Sequence, residues 1–364
     1  MRILIDIGHP AHVHVFRNLI SELIKRNHKV TVTVKKNNYS AKHLLELYKI
    51  NFIELGNKRD SLGGKLFSQL NFDFQLLIIV WKNEIDLMLG SSITIAHVSK
   101  LTGIKSIVFD DDDDEVQPLM AKFGHPFASL VLTPDVLKGK RKKKNTFYYP
   151  AYHELAYLHP NRFFPDSSIL NEIGFKEGDI FFILRFNAFK AHHDIGVKGI
   201  SIENKWQLIQ YLEKYGKVFI TTEKNIDDDF LKYQLKVSPE KIHSLIFFAT
   251  MLIGDSQTMT SEAAVLGTPS LRSNSFVGRI AYLEEEEHKY QLTFGFLPKD
   301  FDKLMNKLGE LISNKNLKSN FEMRRKRMLS DKIDGTSFYV WLVENFQNSI
   351  KDLKPENKFW RKFR

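Results

Sequence analysis

Met251-Leu252-Ile253-Gly254-Asp255-Ser256-Gln257-Thr258-Met259-Thr260-Ser261-Glu262-Ala263-Ala264-Val265-Leu266-Gly267-Thr268-Pro269-Ser270-Leu271-Arg272-Ser273-Asn274 is the stretch on which the reading of this 364-residue chain turns. The apolar run Met251-Leu252-Ile253 reads as the end of a buried strand. Asp255 and Ser256 supply helix-start chemistry. Thr258 to Leu266 then reads as a short helix, which Gly267 and Pro269 stop. A strand running straight into a helix N-terminus presents backbone N–H groups that suit a phosphate or diphosphate, here from Ser256 through Gln257 and Thr258 to Met259. Glu262 lies early in the helix. Met259, three residues before it, cannot cap, so Glu262 completes no capping box. Its carboxylate either accepts hydrogen bonds from a ribose diol or complements the positive end of the helix dipole.

Outward from this stretch, short apolar runs alternate with helical periodicity in both halves of the chain, the signature of parallel sheets wrapped by helices. Strands are expected at Ile3 to Ile5, Val30 to Val34, Phe52 to Leu55, Ile85 to Leu89, Ser106 to Phe109 and Leu130 to Leu132. Between them, helices are expected at Val13 to Lys25, Ser40 to Tyr48, 65–83 and Thr94 to Leu101, the first with Phe16, Leu19, Ile20, Leu23 and Ile24 on one face. From about 140 to 178, Pro150, Pro160, Pro165, Gly174 and Gly178 break any long element, which predicts a connection. Alternation restarts with strands at Ile180 to Leu184 and Val218 to Thr221, and helices at Lys205 to Tyr215 and Ile242 to Ala249. Phe301 to Ile312 and Phe338 to Ile350 are expected as terminal helices.

The expected fold class is therefore α/β, with two doubly wound Rossmann-like domains at 1–150 and 179–345, a connection at 151–178 and a basic tail at 346–364. Two such sheets facing each other would leave a cleft between their carboxyl ends, where ligands of these folds bind.

The totals agree with this picture. The length exceeds one ordinary core, and 43% hydrophobic with 26% charged residues is the composition of a soluble globular protein. The absence of cysteine excludes disulfides, thiolate metal sites and cysteine nucleophiles. No apolar run approaches a membrane span, and the opening Met1-Arg2-Ile3-Leu4-Ile5-Asp6 breaks too early for a signal peptide, so a cytoplasmic location is expected. The net charge of +10 is concentrated at 138–144, 324–327 and 358–364. No nucleic-acid motif accompanies these runs, and no nucleic-acid partner is expected. The tail mixes Phe359, Trp360 and Phe363 with cations, a pattern that suits either a solvated face or peripheral contact with an anionic membrane.

Three further constellations could carry chemistry. Gly8-His9-Pro10-Ala11-His12-Val13-His14 follows the first strand, where Gly8 permits a tight turn. His12 and His14 are two apart and point in different directions on a helix, so no metal site is expected, and a single histidine as proton acceptor fits better. Asp110 to Glu115 places six carboxylates in a row at a strand end. Most are expected to be solvated, with one or two turned inward as acid/base groups. Arg185-Phe186-Asn187, then His192-His193-Asp194, follow the first strand of the second half. The guanidinium suits a diphosphate, whereas the two histidines read equally as ordinary loop residues. Arg272 is a further phosphate candidate.

Asp255-Ser256, Thr258, Glu262-Ala263, Leu266-Gly267, Pro269 and Leu271-Arg272 resemble the stretch with which non-hydrolysing UDP-N-acetylglucosamine 2-epimerases hold uridine diphosphate. A similar pattern occurs in the lipid-linked N-acetylglucosaminyltransferase of peptidoglycan synthesis, whose matching glutamate holds the ribose. The chain most closely resembles an uncharacterised bacterial and archaeal family placed in the same GT-B superfamily, over about twenty residues and beyond them in element order. The resemblance implies a GT-B-like fold whose last helices return to the first domain, and a nucleotide-sugar substrate with no separate cofactor or metal. Sliding the transferase's Gly-Gly-His along the first turn places its histidine on His12 and its second glycine on Ala11. The epimerases' catalytic glutamate finds its counterpart in Asp111 or Asp112, and their His-Arg-Glu-Asn stretch loosely matches Arg185 and Asn187. Their arginine and lysine, however, fall on Pro10 and Val15, and their catalytic aspartate near Ser91-Ser92. These departures weigh against epimerisation. The implied activity is a glycosyltransferase of polysaccharide or cell-envelope assembly with a saccharide or lipid-linked acceptor. A 2-epimerase-like enzyme and a non-catalytic nucleotide-sugar or polyanion binder are the alternatives.

Overall fold

Ile3, Leu4 and Ile5 are fully buried, and β1 (Arg2–Ile7) around them is an interior strand of a seven-stranded parallel sheet. In the computed structural model, which describes residues 1–56, 62–141, 144–186, 199–222, 226–346 and 357–364, this sheet belongs to the first of two units, Met1–Arg162 with Lys332–Arg364. Its other strands are β2 (Lys29–Lys35), β3 (Ile53–Leu55), β4 (Leu87–Gly90), β5 (Lys105–Phe109), β6 (Leu130–Pro134) and β7 (Thr146–Tyr149), in the order β3-β2-β1-β4-β5-β6-β7. The helices α1 (Pro10–Lys25), α2 (Tyr39–Leu47), α3 (Leu62–Lys82), α4 (Ile93–Thr102) and α5 (Pro118–Phe123) connect them. Winding proceeds one way from β1 to β3 and the other way from β4 onward, so the direction reverses between β1 and β4. Gly90 closes β4 at that point, and a Cβ there would stand 2.6 Å from the Asp6 carbonyl oxygen of β1.

The second unit, Phe163–Asp331, has a five-stranded parallel sheet in the order β12-β11-β10-β8-β9. It runs through α6 (Ser168–Glu172), β8 (Phe181–Phe186), α7 (Ile202–Leu212), β9 (Lys217–Thr222), α8 (Ile242–Phe248) and β10 (Met251–Gly254). Then come α9 (Gln257–Leu266), β11 (Ser270–Ser273), α10 (Ala281–His288), β12 (Thr293–Phe296), α11 (Phe301–Ile312) and α12 (Leu317–Asp331). Here the winding reverses between β8 and β10. Gly254 ends β10 at that point, and a Cβ on it would lie 2.0 Å from the Arg185 carbonyl oxygen of β8.

The unit boundaries differ from those expected at 150, 179 and 345. Residues 140–162 are not a linker: β7 adds to the first sheet, and Tyr149, Tyr152, Leu155 and Tyr157 are buried. Pro150 and Pro160 flank the buried stretch Ala151 to His159 instead of marking a domain boundary. The chain returns to the first unit through α13 (Gly335–Glu344) and α14 (Asn357–Trp360). Tyr339 packs edge-on against Phe109 at 4.9 Å between ring centroids, and its hydroxyl bonds that of Tyr149 at 2.8 Å. The tail is part of this cluster, with Trp360 and Phe363 buried 5.1 and 5.4 Å from the Phe338 ring. Trp360 and Phe363 of the basic tail are thus engaged in packing within the first unit. Among the described residues, no helix is long and apolar enough to cross a membrane.

Phe338 stacks on Phe147 and Tyr149 and receives Trp360 and Phe363, so Phe338→Ala leaves a cavity at the point where the returning segment docks. It should lower the stability of the first unit by about 3–5 kcal/mol. Urea denaturation followed by circular dichroism measures this, and a loss below about 1 kcal/mol would show the return to be peripheral.

Candidate functional site

The carboxyl ends of β8 and β10 form the centre of the second unit's candidate site. Gly254 pairs with Arg185, and the Asp255 N–H donates to the Arg185 carbonyl at 3.1 Å. The chain then turns into α9 with Ser256 as its N-cap, whose Oγ accepts from the Met259 N–H at 3.4 Å. Thr260 Oγ1 donates to the Ser256 carbonyl at 2.6 Å, locking the first turn. The N–H groups of Gln257 and Thr258 lie in the first helical turn, where the helix offers them no acceptor, and both residues are half-buried. Asn274, after β11, donates to the Asp255 carbonyl at 3.0 Å and braces the junction from the far side. Arg185 is buried at the end of β8 and donates from Nη1 to Thr221 Oγ1 at 3.2 Å. Lys205 adds a second cation. It is buried on α7, over the Phe186 ring, where burial lowers its pKa and the charge of Asp255 partly offsets that.

Glu262 sits six residues beyond the cap, about 9 Å along the helix axis. It is buried, and its Oε1 accepts from His243 Nε2 on α8 at 2.9 Å. The carboxylate therefore does more than complement the helix dipole: an imidazole from the neighbouring helix fixes its orientation. Arg272 is placed otherwise than expected. It is fully buried, and Nη2 donates to Glu284 at 2.9 Å and to Glu287 at 3.4 Å on α10. Nη2 is thus paired inside the unit, while the buried Nε and Nη1 have no hydrogen-bond partner among the described residues. Asn187, His192, His193 and Asp194 lie outside the described residues.

In the first unit the candidate groups gather at the carboxyl ends of β1 and β5. His9 is the N-cap of α1, its Nδ1 accepting from the Ala11 N–H at 3.2 Å. His12, one turn in, accepts from the Gly8 N–H through Nδ1 at 3.3 Å, so its proton resides on Nε2. Burial and then the neighbouring His9 and His153 push its pKa down to about 3. It is a neutral hydrogen-bond donor near pH 7, not the proton acceptor expected.

Of the six carboxylates in the acidic run, two are buried, three are half-buried and Glu115 is exposed. Asp110 and Asp113 are buried, and Asp110 accepts from His125 Nε2 at 2.5 Å and Arg141 Nη2 at 3.1 Å. Arg141 also donates to Asp114 at 2.9 Å, and Lys140 pairs with Asp113 at 3.0 Å. Part of one basic run thus neutralises part of the acidic one. Of the other three, Asp111 and Asp112 are half-buried and placed for chemistry. Asp111 lies 3.1 Å from Nδ1 of the buried His153; burial opposes its charge, but the imidazolium outweighs that and holds its pKa below the usual value. Asp112 is held by Gln117; burial, then the charges of Asp111 and Asp110, raise its pKa to about 7. Adjacent carboxyls are thereby driven to opposite protonation states, one ionised and one able to give or take a proton near neutrality.

His125, Arg141, His153, Lys205 and His243 are the participants that periodicity did not single out. Their partners are distant in sequence, so no local pattern could assign them.

Residues 1–333 match the family model described as "Protein of unknown function (DUF354)". The chain belongs to that family. None of the curated proteins matches this DUF354 chain. Among solved structures, S. aureus MnaA with UDP superimposes with a TM-score of 0.70 at 12% identity, over 98% of this chain and 99% of that one. The UDP-GlcNAc 2-epimerase from Neisseria meningitidis, bound to UDP-GlcNAc, gives 0.66 at 12%, over 96% and 100%. The spinosyn forosaminyltransferase SpnP gives 0.64 at 14%, over 96% and 98%. At such identities the likeness shows the fold, which is α/β of the GT-B kind with two parallel-sheet units.

The raised pKa of Asp112 has a consequence for stability in this DUF354 protein. Between about pH 4 and pH 7 the folded state holds a proton that the unfolded state has released, so this group's contribution to stability is lost as pH rises through that window. Asp112→Asn removes the dependence. Its melting temperature relative to wild type should therefore rise from pH 5 to pH 8, and a difference that stays flat or falls would show that Asp112 titrates normally.

Proposed function

We propose that this protein is a nucleotide-sugar-dependent glycosyltransferase. The observation that carries the reading is the β10–α9 junction, where a capped helix start stands beside the Arg185 guanidinium and the oriented Glu262 carboxylate lies two turns further on. First-turn N–H groups with a cation beside them fit a diphosphate. A carboxylate about 9 Å along the same helix fits the ribose that the diphosphate carries. Lys205, buried next to Asp255, is a second cation for the same anion.

In the reaction the acceptor oxygen bonds to the anomeric carbon as the bond from that carbon to the diphosphate oxygen breaks. Negative charge then builds on the departing nucleoside diphosphate, where preorganised N–H groups and Arg185 stabilise it. The acceptor hydroxyl's proton passes to a general base; within the first unit Asp112, whose carboxyl titrates near neutrality, is better matched to such a task than His12. His153 keeps Asp111 ionised beside it, and His12 offers its Nε2–H to a sugar oxygen. A saccharide or lipid-linked acceptor, a place in polysaccharide or cell-envelope assembly and a cytoplasmic location complete the proposal.

Epimerisation is the second reading, favoured by likeness to UDP-GlcNAc 2-epimerase structures along nearly the whole chain. Against it stand Pro10 and Val15, which carry no charge in the first turn. Ser92 is also occupied as the N-cap of α4. Incubating the protein with UDP-N-acetylglucosamine alone separates the two, since an epimerase needs no acceptor.

Wild type should bind UDP in titration calorimetry, and Glu262→Ala should weaken binding roughly 10- to 100-fold through loss of charge-assisted hydrogen bonds. A wild-type protein that binds no nucleoside diphosphate would end the proposal.

A further inference from the structure

The helix α3 is apolar on two faces. Phe72, Leu76 and Val80 are buried against the first sheet's core. On the opposite side Phe67, Leu70, Phe74, Ile78 and Trp81 are 58, 62, 61, 45 and 64% exposed. Among the described residues, no charged side chain interrupts this face from Phe67 to Trp81: Asp73 turns inward to His97 at 2.8 Å and Gln69 at 2.7 Å. An amphipathic surface helix would carry polar residues there.

The five residues succeed one another at steps of three, four, four and three, which average to the 3.5-residue period of a seam between two packed helices. The series also reads the same in both directions about Phe74. A two-fold axis crossing the helix at Phe74 lays Phe67 against Trp81 of a second helix, Leu70 against Ile78, and Phe74 against itself. That is the self-complementarity an isologous interface requires. The antiparallel arrangement also sets the two helix dipoles in opposition.

We propose that α3 is the dimerisation helix of this protein, pairing antiparallel with α3 of a second copy about a two-fold axis at Phe74. Five aromatic and aliphatic side chains, each about half exposed, offer roughly 500 Å² per copy and so roughly 1,000 Å² between two, the lower bound of a specific interface. Phe123 and Phe127 enlarge it. They are exposed beside the helix, the Phe123 carbonyl lying 3.0 Å from His97 Nε2 and the Phe127 ring 5.5 Å from the His97 ring. The site residues of both units lie elsewhere in the chain, so the pairing stands independently of the glycosyltransferase reading.

Light scattering on the eluting full-length protein should give twice the 42.4 kDa chain mass. Phe74→Glu, which places two carboxylates on the axis, should give the single mass with an unchanged circular dichroism spectrum. The chain has no cysteine of its own, so single substitutions report geometry cleanly. Phe74→Cys should be captured as a dimer by a short thiol cross-linker. Leu70→Cys and Ile78→Cys should each fail alone and succeed when mixed. These cysteine variants keep the test open if the glutamate variant does not fold. A wild-type monomer at about 100 μM would overturn the proposal, as would Leu70→Cys cross-linking alone as well as Phe74→Cys. So would a monomer that sediments with phosphatidylglycerol vesicles and ceases to do so with Trp81→Glu, which would assign this face to a bilayer.

Discussion

A parallel strand can pass its chain to a helix only by turning over the sheet's carboxyl edge, which leaves the helix's first N–H groups exposed at that edge. In each unit the edge opens where the winding reverses, between β1 and β4 and between β8 and β10. Both reversals are crowded. Gly90 against Asp6 and Gly254 against Arg185 are approaches that a side chain would obstruct. The candidate groups of each unit collect beside these two glycines because backbone donors are available there before any side chain is chosen.

Charge is then handled differently in the two units. The second offers cations and N–H groups around Ser256, and withdraws Arg272 into pairs with Glu284 and Glu287. The first buries Asp110 and Asp113 of an acidic run and neutralises part of that run from His125, Lys140 and Arg141. A carboxylate removed from water demands a partner, and these partners arrive from β6–β7 and the turns around them. What remains is a neighbouring pair, Asp111 and Asp112, separated in protonation because His153 holds the first ionised while burial and the adjacent charges raise the second. A row of six acids in water would show no such distinction.

Several readings made from local pattern hold in the structure. The strand Met251–Gly254, the cap at Ser256 and the left-handed stop at Gly267 sit where turn and cap chemistry put them. The long apolar stretch at 65–83 is a helix, α3. The region from 140 to 178 was misread because prolines and glycines mark turns inside a buried region as readily as they mark linkers. The tail is ambiguous in sequence for a related reason: Trp360 and Phe363 next to lysine and arginine look the same on a membrane-binding segment and on one packed against Phe338.

Backbone-level properties were thus determined by the sequence alone: the alternation of strand and helix, the two parallel sheets it implies, the helix start at Ser256 and the absence of thiol chemistry. They depend on neighbours within a few residues, and periodicity, caps and composition record such neighbours directly. Tertiary structure alone decided the fate of the charges and of the chain's last segment. His243 beside Glu262, His153 beside Asp111, Arg141 across the acidic run and α13 on β7 join residues from 19 to 190 positions apart. Whether a buried carboxylate is ionised, protonated or already spent depends on groups that only folding brings within reach, because desolvation and Coulomb interaction act through space and not along the chain.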